Sequence, residues 1–116
     1  MLSPTEFDGQ NAVDGYGPGF FRVAGKVHHG AIVVEGDRIS GWGGLDDRAT
    51  LRGLAGRVDV LFLGMGAEIA YAPRDLVEDL KALDIRVEAM ASATAARTYN
   101  VTLSEGRRVA CALLPL

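Results

Sequence analysis

Residues 94–114 read TAARTYNVTLSEGRRVACALL, and the order helix, turn, strand in this stretch decides the fold. Its first ten residues contain neither glycine nor proline. On a helical wheel Ala93, Ala96, Tyr99 and Leu103 fall on one apolar stripe, with Asn100 at its margin and Arg97 on the flank. Glu105-Gly106 offers a turn. Val109 to Leu114 is then a continuous apolar run of strand length, too hydrophobic to keep a solvent face.

Working backwards, Ile85–Met90 alternates as a strand, and Pro73 to Leu83 reads as a helix. Proline suits the first turn of a helix, where its missing N–H would be unpaired anyway. Leu76, Val77, Leu80 and Leu83 form the buried stripe of that helix, while Asp75, Glu78 and Asp79 lie on its other faces. Val58–Leu63 is a second fully apolar strand. The order strand, helix, strand, helix, strand implies at least one right-handed crossover between parallel strands. Before it, Asp46 or Asp47 can cap a short helix over Arg48–Leu54, with Leu51, Leu54 and Ala55 inward and Gly56 as its end.

The N-terminal third is β-rich. Phe20–Ala24, Val27–Glu35 and Arg38–Trp42 read as strands joined by Gly25-Lys26 and Glu35-Gly36-Asp37, an antiparallel meander. Residues 1–19 read as a loop with a short strand near Phe7 and a tight turn over Gly15–Gly19. The expected fold is α/β, with three layers: a mixed central β-sheet with helices packed on it, and an added N-terminal antiparallel β-meander. Residues 1–116 are expected to form a single globular domain.

Composition narrows the function classes. A hydrophobic fraction of 48% and a charged fraction of 23% are ordinary for a folded domain. The net charge of -3 and the scattered lysines and arginines argue against nucleic acid as a partner. The one cysteine, Cys111, cannot build a disulfide framework and sits in the most apolar run, as a small buried hydrophobe does. No apolar run reaches the roughly 18 residues of a membrane span. The first residues lack the basic flank and apolar centre of a signal peptide, so the expected location is the cytoplasm.

Three groupings could carry chemistry. Gly64-Met65-Gly66 follows a buried strand, where phosphate-cradling loops occur. Yet Ile69 stands where a dinucleotide fingerprint would put its third glycine, and there is no Lys-Ser/Thr pair. These glycines otherwise serve a strand-end turn. His28-His29 are neighbours on a strand and so point to opposite faces, which keeps them from converging on one metal ion. Arg97, Tyr99 and Asn100, with Glu105 and Arg107, form the densest polar group of the C-terminal half. Asn100 can tie its helix to a neighbouring loop while Arg97 pairs with Glu88 or Glu105. Alternatively, the two make a small anion or carboxylate pocket, with Arg97 as a fork. No catalytic triad or paired carboxylates can be placed.

Taken together, Arg97-Thr98-Tyr99-Asn100, Glu105–Ala110 and the Ala-Leu-Leu ending resemble the C-terminal signature of a family of small proteins of unknown function. That family includes mitochondrial complex I assembly factor 3 and the adipogenesis-associated small protein. Gly19–Val23, Gly30–Val34 with Trp42, Leu63–Gly66, Pro73 and Ile85–Met90 also sit where its pattern expects them. The family often has Gly-Thr-Gly where Met65 stands here, and often cysteine where Ala96 precedes Arg97. The resemblance implies a three-layer α/β fold and no established enzymatic activity. For the mitochondrial member it implies the assembly of a respiratory complex through protein contacts. The expectation is therefore a non-enzymatic binding or assembly protein without cofactor or metal. Its protein partner, or a second copy of itself, would meet a patch of Gly64, Met65, Gly66, Arg97, Tyr99 and Asn100. The alternative is a small-molecule or anion binder, or a small enzyme, with a pocket walled by Gly64, Gly66, Arg97 and Asn100.

Overall fold

The computed structural model describes residues 11–116, and the strand expected near Phe7 lies outside them. Eight strands and three helices follow in the order β1 (Val13–Gly17), β2 (Phe20–Val23), β3 (Lys26–His29), β4 (Ile32–Glu35), β5 (Arg38–Gly41), α1 (Arg48–Arg52), β6 (Val60–Gly64), α2 (Arg74–Lys81), β7 (Arg86–Met90), α3 (Ser92–Ser104) and β8 (Val109–Leu113). They build a three-stranded sheet, β1-β2-β3, and a five-stranded sheet in the order β5-β4-β8-β6-β7. The small sheet is antiparallel throughout. In the large sheet β8, β6 and β7 run parallel, while β4 and β5 are antiparallel. The mixed sheet and added meander expected from the sequence are both present.

Strand alternation explains the layering. On β6, Val60 and Phe62 face one core, while Leu61 and Leu63 face the other. On β8, Val109, Cys111 and Leu113 share the first side, and Ala110 and Ala112 the second. A strand covered on both faces must be apolar at every position, and every residue of β6 and β8 is buried. The first face packs against Ala95, Ala96, Tyr99 and Leu103 of α3 and against Val13, Phe21 and Val23 of the small sheet. The second packs against Leu51 and Leu54 near α1 and Leu76 and Leu80 of α2. The crossovers β6–α2–β7 and β7–α3–β8 thus lie on opposite faces, and Gly64, Met90 and Leu113 end the parallel strands side by side.

Four local readings are corrected. Val27–Glu35 is not one strand: Gly30 (φ +83°) breaks it, so β3 joins the small sheet and β4 the large one. A Cβ disfavours that backbone conformation, and the glycine gives the chain its step between layers. The tight turn is confined to Pro18-Gly19, because Gly15 and Gly17 lie within β1. Their missing side chains are replaced from across the ladder, where Arg22 covers Gly15 and the Phe20 ring covers Gly17. On α3 the buried stripe runs through Ser92 and Ala95 rather than Ala93, and Ala55 after α1 is exposed. Asp47 is the acid that caps α1, accepting from the Thr50 N–H at 3.3 Å. Its bond from the Gly43 N–H, followed by those from Thr50, holds its carboxyl below the usual range.

Candidate partner-binding site

The Gly64–Gly66 loop meets the first turn of α3 at the ends of the parallel strands. A Cβ on Gly64 would lie 2.7 Å from both the Cα and Oγ of Ser92 and 2.8 Å from Leu113. No side chain fits there, so the first glycine serves helix packing. Gly66 has φ +97°, and its N–H donates to Ser92 Oγ at 2.8 Å. Ser92 Oγ donates onward to the Leu114 carbonyl at 2.7 Å. Backbone bonds close the same knot: Ser92 N–H to Gly66 O at 2.8 Å, Leu114 N–H to Gly64 O at 2.9 Å and Met65 N–H to Met90 O at 2.8 Å. Ser92 is itself fully buried. The crevice that could cradle a phosphate is therefore occupied by the chain's own serine and C-terminal carbonyls.

Beyond that knot the chain protrudes. Ala67 to Tyr71 are all exposed, with Ile69 at 84% and Tyr71 at 99% of their full accessibility. Water-facing Ile and Tyr on one short loop are unlike the rest of the surface, where the other exposed large apolar residues are at most 53% accessible among the described residues. Pro73 then fixes the start of α2.

The second half of the expected patch sits farther along α3 and is built differently. Tyr99 is buried, with its hydroxyl accepting from the Gly36 N–H at 3.0 Å and donating to the Asn11 carbonyl at 3.4 Å. Burial pushes its phenol upward from the ordinary value. Asn100 grips Val13 with both ends of its amide: Oδ1 accepts from the Val13 N–H at 2.9 Å, and Nδ2 donates to the Val13 carbonyl at 2.7 Å. The tie from Asn100 to a neighbouring segment is thus present, although the segment is strand β1. Arg97 is exposed, and the pairing with Glu88 or Glu105 does not form: Glu88 is met by Arg86 at 3.3 Å. Arg97 and Asn100 line a groove of about 370 Å³ against β1, whose walls include none of Gly64, Met65 and Gly66. The structure places the six expected residues in two locations joined by α3.

Packing accounts for Cys111, whereas His28 Nε2 is buried with no hydrogen-bond partner among the described residues. Cys111 is buried, and desolvation pushes its thiol upward, away from the reactive thiolate. His28 lies across from Phe21 and His29 across from Phe20, so the two imidazoles face opposite sides of the sheet. Sequence reading missed Ser92, Ile69 and Tyr71. An uncapped serine at a helix start after a strand, and apolar residues in a Gly/Ala/Pro loop, were the signals available.

Fold and site together define a three-layer α/β domain whose strand-end crevice is filled from within and whose neighbouring loop exposes Ile69 and Tyr71 beside Glu68. The chain belongs to the family described as "Protein of unknown function (DUF498/DUF598)", which matches residues 13–114. It is 53% identical to an uncharacterized protein of Rhodobacter capsulatus, over 99% of this chain and 94% of that protein. It is 29% identical to the NADH dehydrogenase (ubiquinone) 1 alpha subcomplex assembly factor 3 of Danio rerio, over 86% of this chain and 62% of the relative. The chain thus spans less than two-thirds of that relative's length. Among solved structures, the crystal structure of an outer membrane protein from Bartonella henselae superposes with a TM-score of 0.84 at 32% identity, covering 95% of this chain and 98% of that one. No helix among the described residues is long and apolar enough to cross a membrane.

Proposed function

We propose that this protein is a non-enzymatic, protein-binding factor of the assembly-factor type, and that its loop Ala67–Tyr71 is the recognition element. The carrying observation is the near-complete exposure of Ile69 and Tyr71 on a loop whose base is fixed by buried hydrogen bonds. Tyrosine offers large contact area at small entropic cost and is enriched among residues that dominate binding energies. Gly64, Met65 and Gly66 act as the mount of this loop rather than as a ligand cradle. Kinship with an assembly factor for an NADH dehydrogenase makes subunits of such a complex the first partners to seek, and the cytoplasm is the compartment proposed from the sequence.

The test is a photo-crosslinking residue at position 71 in the native cell, combined with Ile69→Ser/Tyr71→Ser. The reading expects a discrete protein partner crosslinked from position 71. It also expects an unchanged melting temperature for the double variant, together with loss of that partner. Retention of the same partner by the double variant would refute it. Fractionation of the native cells checks the compartment.

A further inference from the structure

The edge of the small sheet gives a second, independent observation. Strand β1 is the outer strand of β1-β2-β3, and its free side faces α3. Edge strands carry a row of backbone donors and acceptors that will pair with any extended chain. At Val13 that pairing is already made: the Asn100 carboxamide takes both the N–H and the C=O, as a neighbouring strand's peptide groups would. One side chain therefore acts as a stub of a fourth strand.

The edge continues past the stub. Pro18-Gly19 is a two-residue connection, so Gly17 and Phe20 form the hydrogen-bonded pair that closes the hairpin. By alternation the next pair, Tyr16 with Phe21, is not hydrogen-bonded, and the Tyr16 N–H and C=O point outward. They point into the groove of about 370 Å³ between β1 and α3, lined by Gly15, Tyr16, Ala93, Ala96, Arg97 and Asn100. Ala93 and Ala96 leave backbone width, and Arg97 supplies a guanidinium with no ion pair among the described residues. The acid on the same wall, Asp14, is neutralised by Arg22 at 2.8 Å and accepts the Gly25 N–H at 2.9 Å. The groove's uncompensated charge is therefore positive, on a chain whose net charge is -3.

We propose that this groove binds an extended acidic peptide segment, added to β1 at Tyr16 with a carboxylate on Arg97. Main-chain pairing provides the attachment, and the planar guanidinium selects the carboxylate through paired N–H donors. The carboxylate can come from an Asp or Glu side chain or from a chain terminus. This site is distinct from the Ala67–Tyr71 loop and does not depend on it.

The experiment titrates the full-length, 15N-labelled protein at low salt with three equimolar pentapeptide mixtures, each randomised over uncharged residues at its other positions. One fixes aspartate in the centre with capped ends, one fixes asparagine there, and one has a neutral centre and a free α-carboxylate. The expected result is saturable shifts at the Tyr16 amide and the Arg97 Nε–H with the first or third mixture, the responding one naming the carboxylate's source. The asparagine mixture should bind about tenfold more weakly, the ratio a lost charge-assisted bond produces. Arg97→Ala should weaken the binding that the Tyr16 shifts report about tenfold while leaving the Val13 amide resonance in place, which shows that the Asn100 clamp is intact. Ile69→Ser/Tyr71→Ser should leave them unchanged. Absence of saturable shifts at Tyr16 and Arg97 with all three mixtures, or binding of the asparagine mixture as tight as that of the responding carboxylate mixture, overturns the proposal.

Discussion

Replacing Ser92 by alanine tests the packing on which the recognition loop stands. The hydroxyl accepts from the Gly66 N–H at 2.8 Å and donates to the Leu114 carbonyl at 2.7 Å, in a residue with no solvent exposure. Alanine keeps the helix start and almost all the volume, so the change isolates the two hydrogen bonds. The Gly66 N–H is left buried without a partner, which costs about 1–3 kcal/mol. The Leu114 carbonyl, only half-buried, regains water and loses the roughly 1 kcal/mol net worth of a made bond. The sum is about 2–4 kcal/mol, which corresponds to a melting temperature about 8–16 °C lower for a domain of this size. Thermal and denaturant unfolding measure it directly, and hydrogen exchange of the Gly66 amide should accelerate alongside. Ser104→Ala is the control: that hydroxyl is exposed, bonds only the Val101 carbonyl on its own helix at 2.7 Å, and should change stability by less than ~0.5 kcal/mol. A Ser92→Ala protein melting within about 2 °C of the parent would show that the knot is not what fixes the loop.

Three other outcomes follow from the same contacts. Asn100→Ala removes both bonds to Val13 and should cost about 1–3 kcal/mol, with the β1 amides losing exchange protection first; an unchanged melting temperature would mean the clamp is idle. Gly64→Ala drives a methyl to 2.7 Å from the Ser92 backbone and should cost at least roughly 1–3 kcal/mol, read by denaturant midpoint, because the obstacle includes backbone. Burial raises the Cys111 thiol and the Tyr99 phenol above their ordinary values of 9.0 and 10.0, so each stays protonated in the fold at a pH where the unfolded chain ionises. Their contribution is complete below those ordinary values and falls as pH rises through them, by up to about 1.4 kcal/mol per pH unit for each group. Unfolding free energies measured from neutral to strongly alkaline pH should bend downward above pH 9, and Cys111→Ala should delay the bend towards pH 10.

The layer order was legible because β6 and β8 are apolar at every position, which only a doubly covered strand tolerates. Helix α2 announced itself through Pro73 and the spacing of Leu76 and Leu80. The small sheet was half legible. Gly15 and Gly17 read as a turn because composition cannot show that Arg22 and Phe20 will lie over them from the facing strand. Gly30 looked like one more glycine in a β-run, since a positive φ leaves no trace in hydropathy. The site was less legible still. Arg97, Tyr99 and Asn100 stood out as polar residues in an apolar half, and the Asn100 tie was foreseen in kind. What joined them to Gly64–Gly66 in the sequence reading was the expectation that the ends of their elements converge. In the fold Ser92 takes that position, because a glycine at 64 lets the first turn of α3 come into backbone contact.

That contact explains how a loop exposing Ile69 and Tyr71 can serve recognition instead of being a loose segment. Ala67–Tyr71 is held at one end by Gly66, bonded to Ser92, and at the other by Pro73 at the mouth of α2. Few residues separate the anchors, so the chain has little conformational freedom left to lose when a partner arrives. Tyr71 and Ile69 then give up mainly side-chain rotamers, and most of the burial they gain appears as affinity. If the anchors were loosened without touching the two side chains, binding should weaken even though the contact surface is intact. Ser92→Ala has this property. Its loss of partner affinity, measured under conditions where it remains folded, separates a rigid presenting loop from one that orders only on contact.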